Sequence, residues 1–212
     1  MPINMVKLPT GKSDLYLRVA KGHFATSHSH INYYIDVTMQ KHRLSEAKAV
    51  ARELVSAYRM NTVVDTILCL DSTEVIGTCI ANELTQADFV NMNAHRTVYV
   101  VTPEHTSGSQ LIFRENTAPM ITGKHVLILA VSVATGYTVS AAVETVKYYG
   151  GRVAGITSIF ATMKECDGYP VYSIFNPNDL EGYMSCDSHK CPMCKAGEKI
   201  DALVNSHGYS KL

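Results

Sequence analysis

The sequence carries no excess of charge of either sign. Its 212 residues include 19 Lys and Arg against 19 Asp and Glu, and only 18% of positions are charged. A nucleic-acid binder usually shows a basic surplus that can neutralise phosphates, so no nucleic-acid partner is expected. An acidic disordered tail is excluded on the same ground. Any anion this chain holds must be held locally. Long apolar runs are missing too: Val126 to Val131 is among the longest, far short of the roughly 20 residues that cross a bilayer. No membrane partner is expected. The opening Met-Pro-Ile-Asn-Met-Val-Lys-Leu-Pro lacks the continuous apolar segment of a secretory signal, which makes a soluble, cytoplasmic protein the expectation. There is no internal repeat and no low-complexity segment.

What is present is an ordinary globular composition, 46% hydrophobic, with a length that suits one domain with a sizeable core and a small appendage. From Leu44 to Arg59, apolar side chains at Leu44, Ala47, Val50, Ala51, Leu54 and Tyr58 recur at the spacing of one helix face, with Ser45 as N-cap and Glu46 in the first turn. Val63 to Leu70 is short and β-branched, as in a strand buried on both faces, and a helix is predicted after it from Thr73 to Leu84. A strand from Thr97 to Val101 precedes a polar segment, Thr102 to Thr122, holding Pro103, Gly108 and Pro119; a connection that long is usually functional. His125 to Val133 is the strongest strand. It leads into a helix from Thr138 to Tyr149 that Gly150 and Gly151 stop. Strands at Arg152 to Phe160 and Val171 to Phe175 follow. The alternation predicts a mainly parallel, doubly wound α/β sheet.

In such a sheet, ligands sit beyond the carboxyl ends of strands. Ser132-Val-Ala-Thr-Gly-Tyr-Thr138 occupies that place. Gly136 lets the backbone turn tightly, Thr135 and Thr138 offer hydroxyls, and the helix start supplies outward N–H groups, a phosphate cradle without net positive charge. A plain strand-to-helix turn with Thr138 as N-cap would use the same residues.

The run Val126-Leu-Ile-Leu-Ala-Val-Ser-Val-Ala-Thr-Gly-Tyr-Thr-Val139 resembles the phosphoribosyl-pyrophosphate signature of the type I phosphoribosyltransferases, in which an apolar strand ends in two acidic residues and continues into a Thr-Gly-x-Thr loop. Gly22-His-Phe-Ala-Thr-Ser-His-Ser-His-Ile-Asn-Tyr-Tyr34 is similar to an N-terminal segment of the orotate phosphoribosyltransferases, and Cys191-Pro-Met-Cys-Lys-Ala-Gly197 to a C-terminal element of some bacterial members. The resemblance spans Gly22 to Gly197. It implies a type I phosphoribosyltransferase fold: an N-terminal hood segment over 1–43, a core over 44–175 and a Cys-containing tail over 176–212. It also implies a small-molecule phosphoribosyl or nucleotide ligand on Ser132, Ala134, Thr135, Gly136, Tyr137 and Thr138, Mg²⁺ if the chain is catalytic, and a homodimer. Tyr33 and Tyr34 would stack on the base or pack as core.

The chain also departs from the family pattern. Ala130 and Val131 stand where the family has its acidic pair, and neither side chain accepts a hydrogen bond. The region that would be the mobile basic loop, Thr102 to Gln110, contains no Lys or Arg, leaving His105 and, further on, Arg114 as catalytic candidates. The small pyrophosphate loop is replaced by Leu70-Asp71-Ser72-Thr73-Glu74, whose two carboxylates would repel a pyrophosphate unless a metal bridged them. Asp71 or Glu74 supplying the missing acidic group from another strand is one reading; favourable acidic residues at a solvated helix start is the other. The expectation is a protein that binds a phosphoribosyl or nucleotide ligand with weakened or altered transferase chemistry; the alternative is an active orotate phosphoribosyltransferase of pyrimidine nucleotide synthesis.

Six cysteines complete the picture. Cys69 and Cys79 lie in apolar segments as core thiols. Cys186, His189, Cys191 and Cys194 fall within nine residues of one another in the sequence, with Cys166 and His207 as substitutes; Cys-x-x-Cys presents two sulfurs to zinc. A structural Zn²⁺ in the tail, a free cysteine knuckle and a Cys191–Cys194 disulfide all fit the spacing. His23, His28 and His30 look like a ligand cluster, which by the resemblance would lie over the base and touch an aromatic ligand or its carboxylate; exposed polar histidines of a hood loop is the reading preferred.

Overall fold

The strand and helix periods of the sequence become two compact units in the computed structural model of the chain, which describes residues 4–9, 15–86, 91–94, 96–107 and 110–212. The smaller unit is Met1–Met39 with Asn176–Leu212; the larger is Gln40–Phe175. The chain begins with β1 (Val6–Pro9), β2 (Tyr16–Ala25) and β3 (His30–Asp36), which pair antiparallel in sequence order. Leu15, Leu17 and Val19 are buried while Tyr16 between them is exposed, the period of two that sets which face of β2 is inward.

After α1 (Thr38–His42) the larger unit runs through α2 (Leu44–Val55), β4 (Thr66–Cys69), α3 (Glu74–Thr85), β5 (Tyr99–Val101), β6 (Glu104–His105), β7 (Leu111–Ile112), β8 (His125–Val133), α4 (Tyr137–Tyr148), β9 (Arg152–Ala161), β10 (Glu165–Cys166) and β11 (Tyr169–Phe175). Its main sheet has the order β10-β11-β9-β8-β4-β5, parallel except for β10. β8 is central, and every residue from Val126 to Val131 is buried, as expected of a parallel strand covered on both faces. Ile128 and Ala130 pack in one cluster with Val139, Ala142, Val143 and Val146 of α4. On the opposite face Ile67 and Cys69 lie under α3 at Gly77, where an added Cβ would fall 2.4 Å from Cys69 Sγ; only glycine lets the helix approach so closely.

The chain then returns to the smaller unit with β12 (Ser185–Cys186), α5 (Pro192–Lys195), β13 (Ala202–Asn205) and β14 (Gly208–Lys211). Its sheet has the order β12-β3-β2-β13-β14, with β13 parallel to β2. No helix among the described residues is long and apolar enough to cross a membrane.

Several expectations shift in detail. α2 starts at Leu44 with Arg43 as N-cap and no side-chain cap bond, so Ser45 is already helical. α4 is capped by Gly136 and not by Thr138. The polar connection 102–122 contains the β6–β7 hairpin and a 3-10 turn at Ala118–Met120, while Gly108 lies outside the described residues.

Candidate functional site

β4 continues to β5 on one side of the sheet and β8 continues to β9 on the other. The two strands are neighbours in register, Leu68 opposite Ile128 and Cys69 opposite Leu129. Their carboxyl ends therefore flank the point where the winding reverses, the place at which open α/β sheets hold ligands.

The β8 side of this crevice is the loop to α4. Gly136 has φ +78, and a Cβ there would lie 3.2 Å from Cys166 Sγ and 3.3 Å from Met163 Sδ. Thr162, just past β9, fixes the loop from behind: its N–H donates to Val133 O and its hydroxyl to Ala134 O at 2.6 Å. The helix opens with Ser140 N–H donating to Gly136 O at 2.8 Å. Ser132, Thr135, Tyr137 and Thr138 are exposed, Ala134 is partly so, and Gly136 is buried. The loop thus turns its hydroxyls and the first amides of a twelve-residue helix outward, the arrangement that attracts phosphate.

The β4 side is strained. Asp71 and Ser72 both have left-handed backbones, φ 56 and 59, which non-glycine residues hold only where the surroundings impose it. Thr73 is buried beneath, its hydroxyl donating to Leu70 O at 2.7 Å. Lys41, itself buried, donates from Nζ to Asp71 O at 2.9 Å. The sequence offers little sign of this lysine, whose neighbours Lys41-His42-Arg43 look like a solvated basic stretch. Asp71 Oδ2 accepts from Val131 N–H at 3.3 Å. A carboxylate from β4 thus stands at the backbone of a β8 residue that replaces the expected acidic pair. Glu74 Oε1 accepts from the Thr102 hydroxyl at 3.0 Å.

The two catalytic candidates sit on the β6–β7 hairpin and just after it. Arg114 grips Glu104 with Nη2 at 2.7 Å and Nε at 3.0 Å, and this hydrogen-bonded ion pair holds the Glu104 carboxyl below the usual range. Its guanidinium is already engaged. His105 is exposed and faces Leu111 across the hairpin. Mg²⁺ would find no oxygen ligand on the Ala130 and Val131 side chains, so these two residues do not fit it.

In the smaller unit, the ring nitrogens of His23 and His30 and the sulfurs of Cys191 and Cys194 all lie within 4.8 Å of one another. The β2–β3 register explains the histidines: Ala25 pairs with His30, which puts His23, two residues before Ala25, on the same face. The ladder shifts register between Lys21 and Phe24, an irregularity of the kind that re-aims a side chain. Both rings are buried, contrary to the expectation of exposed hood histidines; His28 alone of the three is exposed. Burial pushes His30 below the usual histidine value and His23 adds to this, with Asp187 acting the other way. Cys191, at the N-cap of α5, and Cys194, within it, close the group. His189 is exposed in a 3-10 turn capped by Asp187 and is not in the group. Cys186 borders it, its thiol 3.7 Å from His30 O. Cys166 lies in the larger unit against Gly136 O, and His207 is in the turn before β14.

Tyr33 and Tyr34 are both buried. Tyr33 donates to Glu181 O at 2.9 Å and stacks on Tyr183. Tyr34 packs with Phe24, Ala202, Val204 and Tyr209, and burial raises its hydroxyl to about 12.

No family model matches the sequence, and no curated protein matches it significantly. Solved structures do. UMP synthase of Leishmania donovani superposes with a TM-score of 0.56 at 22% identity over 76% of this chain, and the match spans only 34% of that protein. Orotate phosphoribosyltransferase of Mycobacterium tuberculosis, solved with Fe(III) dicitrate, gives 0.51 at 19% identity over 77% of this chain and 92% of that one. Adenine phosphoribosyltransferase of Trypanosoma brucei, in complex with AMP, pyrophosphate and ribose-5-phosphate, gives 0.52 at 15% identity over 75% and 77%. Orotate and adenine transferases match alike, so the likeness speaks for the scaffold and leaves the base open. This chain is built on the type I phosphoribosyltransferase fold.

Proposed function

We propose that the chain binds a phosphoribosyl compound or nucleotide through its 5′-phosphate on the 134–138 loop, with transferase chemistry that is weakened or altered. The observation that carries this is the left-handed Gly136 cap, which presents the Thr135 and Thr138 hydroxyls and the first amides of α4 beside the switch point. Neutral donors can hold a dianion in this way without a basic patch, in keeping with the zero net charge of the chain. The altered chemistry rests on Ala130 and Val131, which cannot offset positive charge developing on a ribosyl carbon, and on Arg114, which Glu104 occupies. Phosphate binding at the cradle depends on neither. AMP, pyrophosphate and ribose-5-phosphate in the trypanosomal structure exemplify the ligand class.

A retained transferase is the second reading, and one contact favours it: the Asp71 carboxylate at Val131 N–H. Asp71 would then face the ribose hydroxyls from the neighbouring strand, and Lys41 would put a cation behind the loop that receives pyrophosphate. Orotate and a homodimer belong to this reading; a structural zinc in the tail belongs to either.

Titration calorimetry with phosphoribosyl pyrophosphate, orotate and orotidine monophosphate, beside a pyrophosphate-release assay with Mg²⁺, separates them. Binding of phosphorylated ligands without release is the expected result. Steady release with orotate, abolished by Asp71→Asn, would establish the second reading. Absence of binding by every phosphorylated ligand would overturn both.

A further inference from the structure

We infer that His23, His30, Cys191 and Cys194 form a four-coordinate zinc site that staples the β2–β3 hairpin to the C-terminal segment of the smaller unit. This goes beyond the ligand reading and does not depend on it. The first support is metric. Zn–S and Zn–N bonds of about 2.3 and 2.05 Å at tetrahedral angles set N···S edges of about 3.5 Å and an N···N edge of about 3.3 Å. Here Cys191 Sγ and Cys194 Sγ each lie 3.6 Å from His23 Nε2, Cys194 Sγ lies 3.3 Å from His30 Nδ1, and the two nitrogens are 3.0 Å apart. Four of the six edges are thus near the tetrahedral lengths, and all four donor atoms lie within 4.8 Å of one another.

The second support is the shell behind them. His23 Nδ1 is 3.0 Å from Glu198 O. A carbonyl can only accept, so Nδ1 carries the proton and the lone pair of Nε2 faces the thiols, the orientation in which metal-bound histidines are held by an outer partner. His23 N–H donates to Asp201 Oδ2 at 2.8 Å, and Asp201 N–H donates back to His23 O at 2.8 Å, so the strand carrying this histidine is fixed to the segment beyond α5.

The third support is accessibility and composition. His23, His30 and Cys191 are buried while Cys194 is exposed, which gives an ion an entry side. Four protein ligands leave no open position, so the site is structural and not hydrolytic. The softness of two thiolates with two imidazoles selects zinc over Mg²⁺ or Ca²⁺.

The test is metal analysis of the full chain, produced in zinc-supplemented medium and purified without chelator. About one zinc per chain is expected. Cobalt loaded in its place should give visible ligand-field bands and near-ultraviolet sulfur-to-cobalt charge transfer. His23→Ala and Cys194→Ser, each removing one of the four ligands, should lose the zinc from the purified chain, while His189→Ala and Cys186→Ser keep the metal. A folded wild-type chain without metal, or one whose mass is lower by two hydrogens from a Cys191–Cys194 disulfide, would overturn the assignment. So would loss of metal in His189→Ala with retention in His23→Ala. If the ligand variants do not fold, wild-type stoichiometry and the two outer variants still decide.

Discussion

The two units solve the same problem with different means. The larger buries a parallel strand, β8, beneath helices on both faces, and seventeen buried residues join in the cluster on the α4 side alone. The smaller gathers Ala20, Phe24, Tyr34, Ala202 and Val204 in one cluster under strands that lie far apart in the chain, and it buries Leu15, Leu17 and Val19 as well. Hydrophobic burial scales with the apolar area withdrawn from water, and in a unit this small it must offset the entropy of ordering strands that are distant in sequence. It also brings two imidazoles and two thiols together. If these hold zinc as inferred above, metal ligation adds to apolar burial in holding the smaller sheet together.

The largest effect is expected from removal of the inferred zinc. Chelation of the zinc-loaded chain should abolish hydrogen-exchange protection in β2, β3 and β13 while β4, β8 and β9 keep theirs; loss in both units together would mean that they are one cooperative body. Next in size is Leu127→Ala at the centre of β8, where no solvent reaches. A cost of about 2–5 kcal/mol in denaturant unfolding of the larger unit is expected, with zinc content unchanged. Gly136→Val should cost less, about 1–3 kcal/mol, because a β-branched residue must adopt φ +78. Calorimetry should nonetheless register a loss of phosphate-ligand affinity of about tenfold or more, since the cap geometry is the binding device.

The smallest effect concerns Asp65. Burial opposes its charge, but the amide and ring of His125 and the nearby Arg96 outweigh this and hold its carboxyl below the usual range. A carboxyl depressed by folding contributes stability above its unfolded value, about 3.9, and loses it as the pH falls through the folded one. Asp65→Asn should therefore flatten the acid limb of the larger unit's stability curve below about pH 4, removing about 1 kcal/mol at neutrality.

How much of this was legible beforehand follows the same division. β8 could be read to the residue, because a run of apolar residues bounded by His125 and a Thr-Gly pair has one comfortable place in an α/β fold. The cradle is legible for the same reason; the cap falls on Gly136 and not on Thr138, as a plain turn would have it, because the path of the incoming loop decides where a helix begins. Asp71 reaching Val131 was conceivable but not readable, since it requires knowing that β4 and β8 are neighbours. The metal group was half visible. Cys191 and Cys194 announce themselves by spacing, whereas His23 and His30 stand more than 160 residues away from them, and only the pairing of β2 with β3 and β13 brings them round. His189 is near the cysteines in sequence, but that nearness counts for little in a 3-10 turn that leaves it exposed.

The parallel pairing of β13 with β2 has one more consequence, for the order of events as the chain is made. Ala202 lies beside Phe24, and everything from Gln40 to Phe175 is an insertion between the two halves of the smaller unit. A ribosome adds about 5–20 residues per second, so the larger unit has its full sequence some seconds before Cys191 emerges. The N-terminal strands must wait longer still, about 9–35 seconds from Ala25 to Ala202 at that rate, with β2 lacking β13 on one edge. The smaller unit is thus begun before the larger one and completed after it, when β13 arrives beside β2.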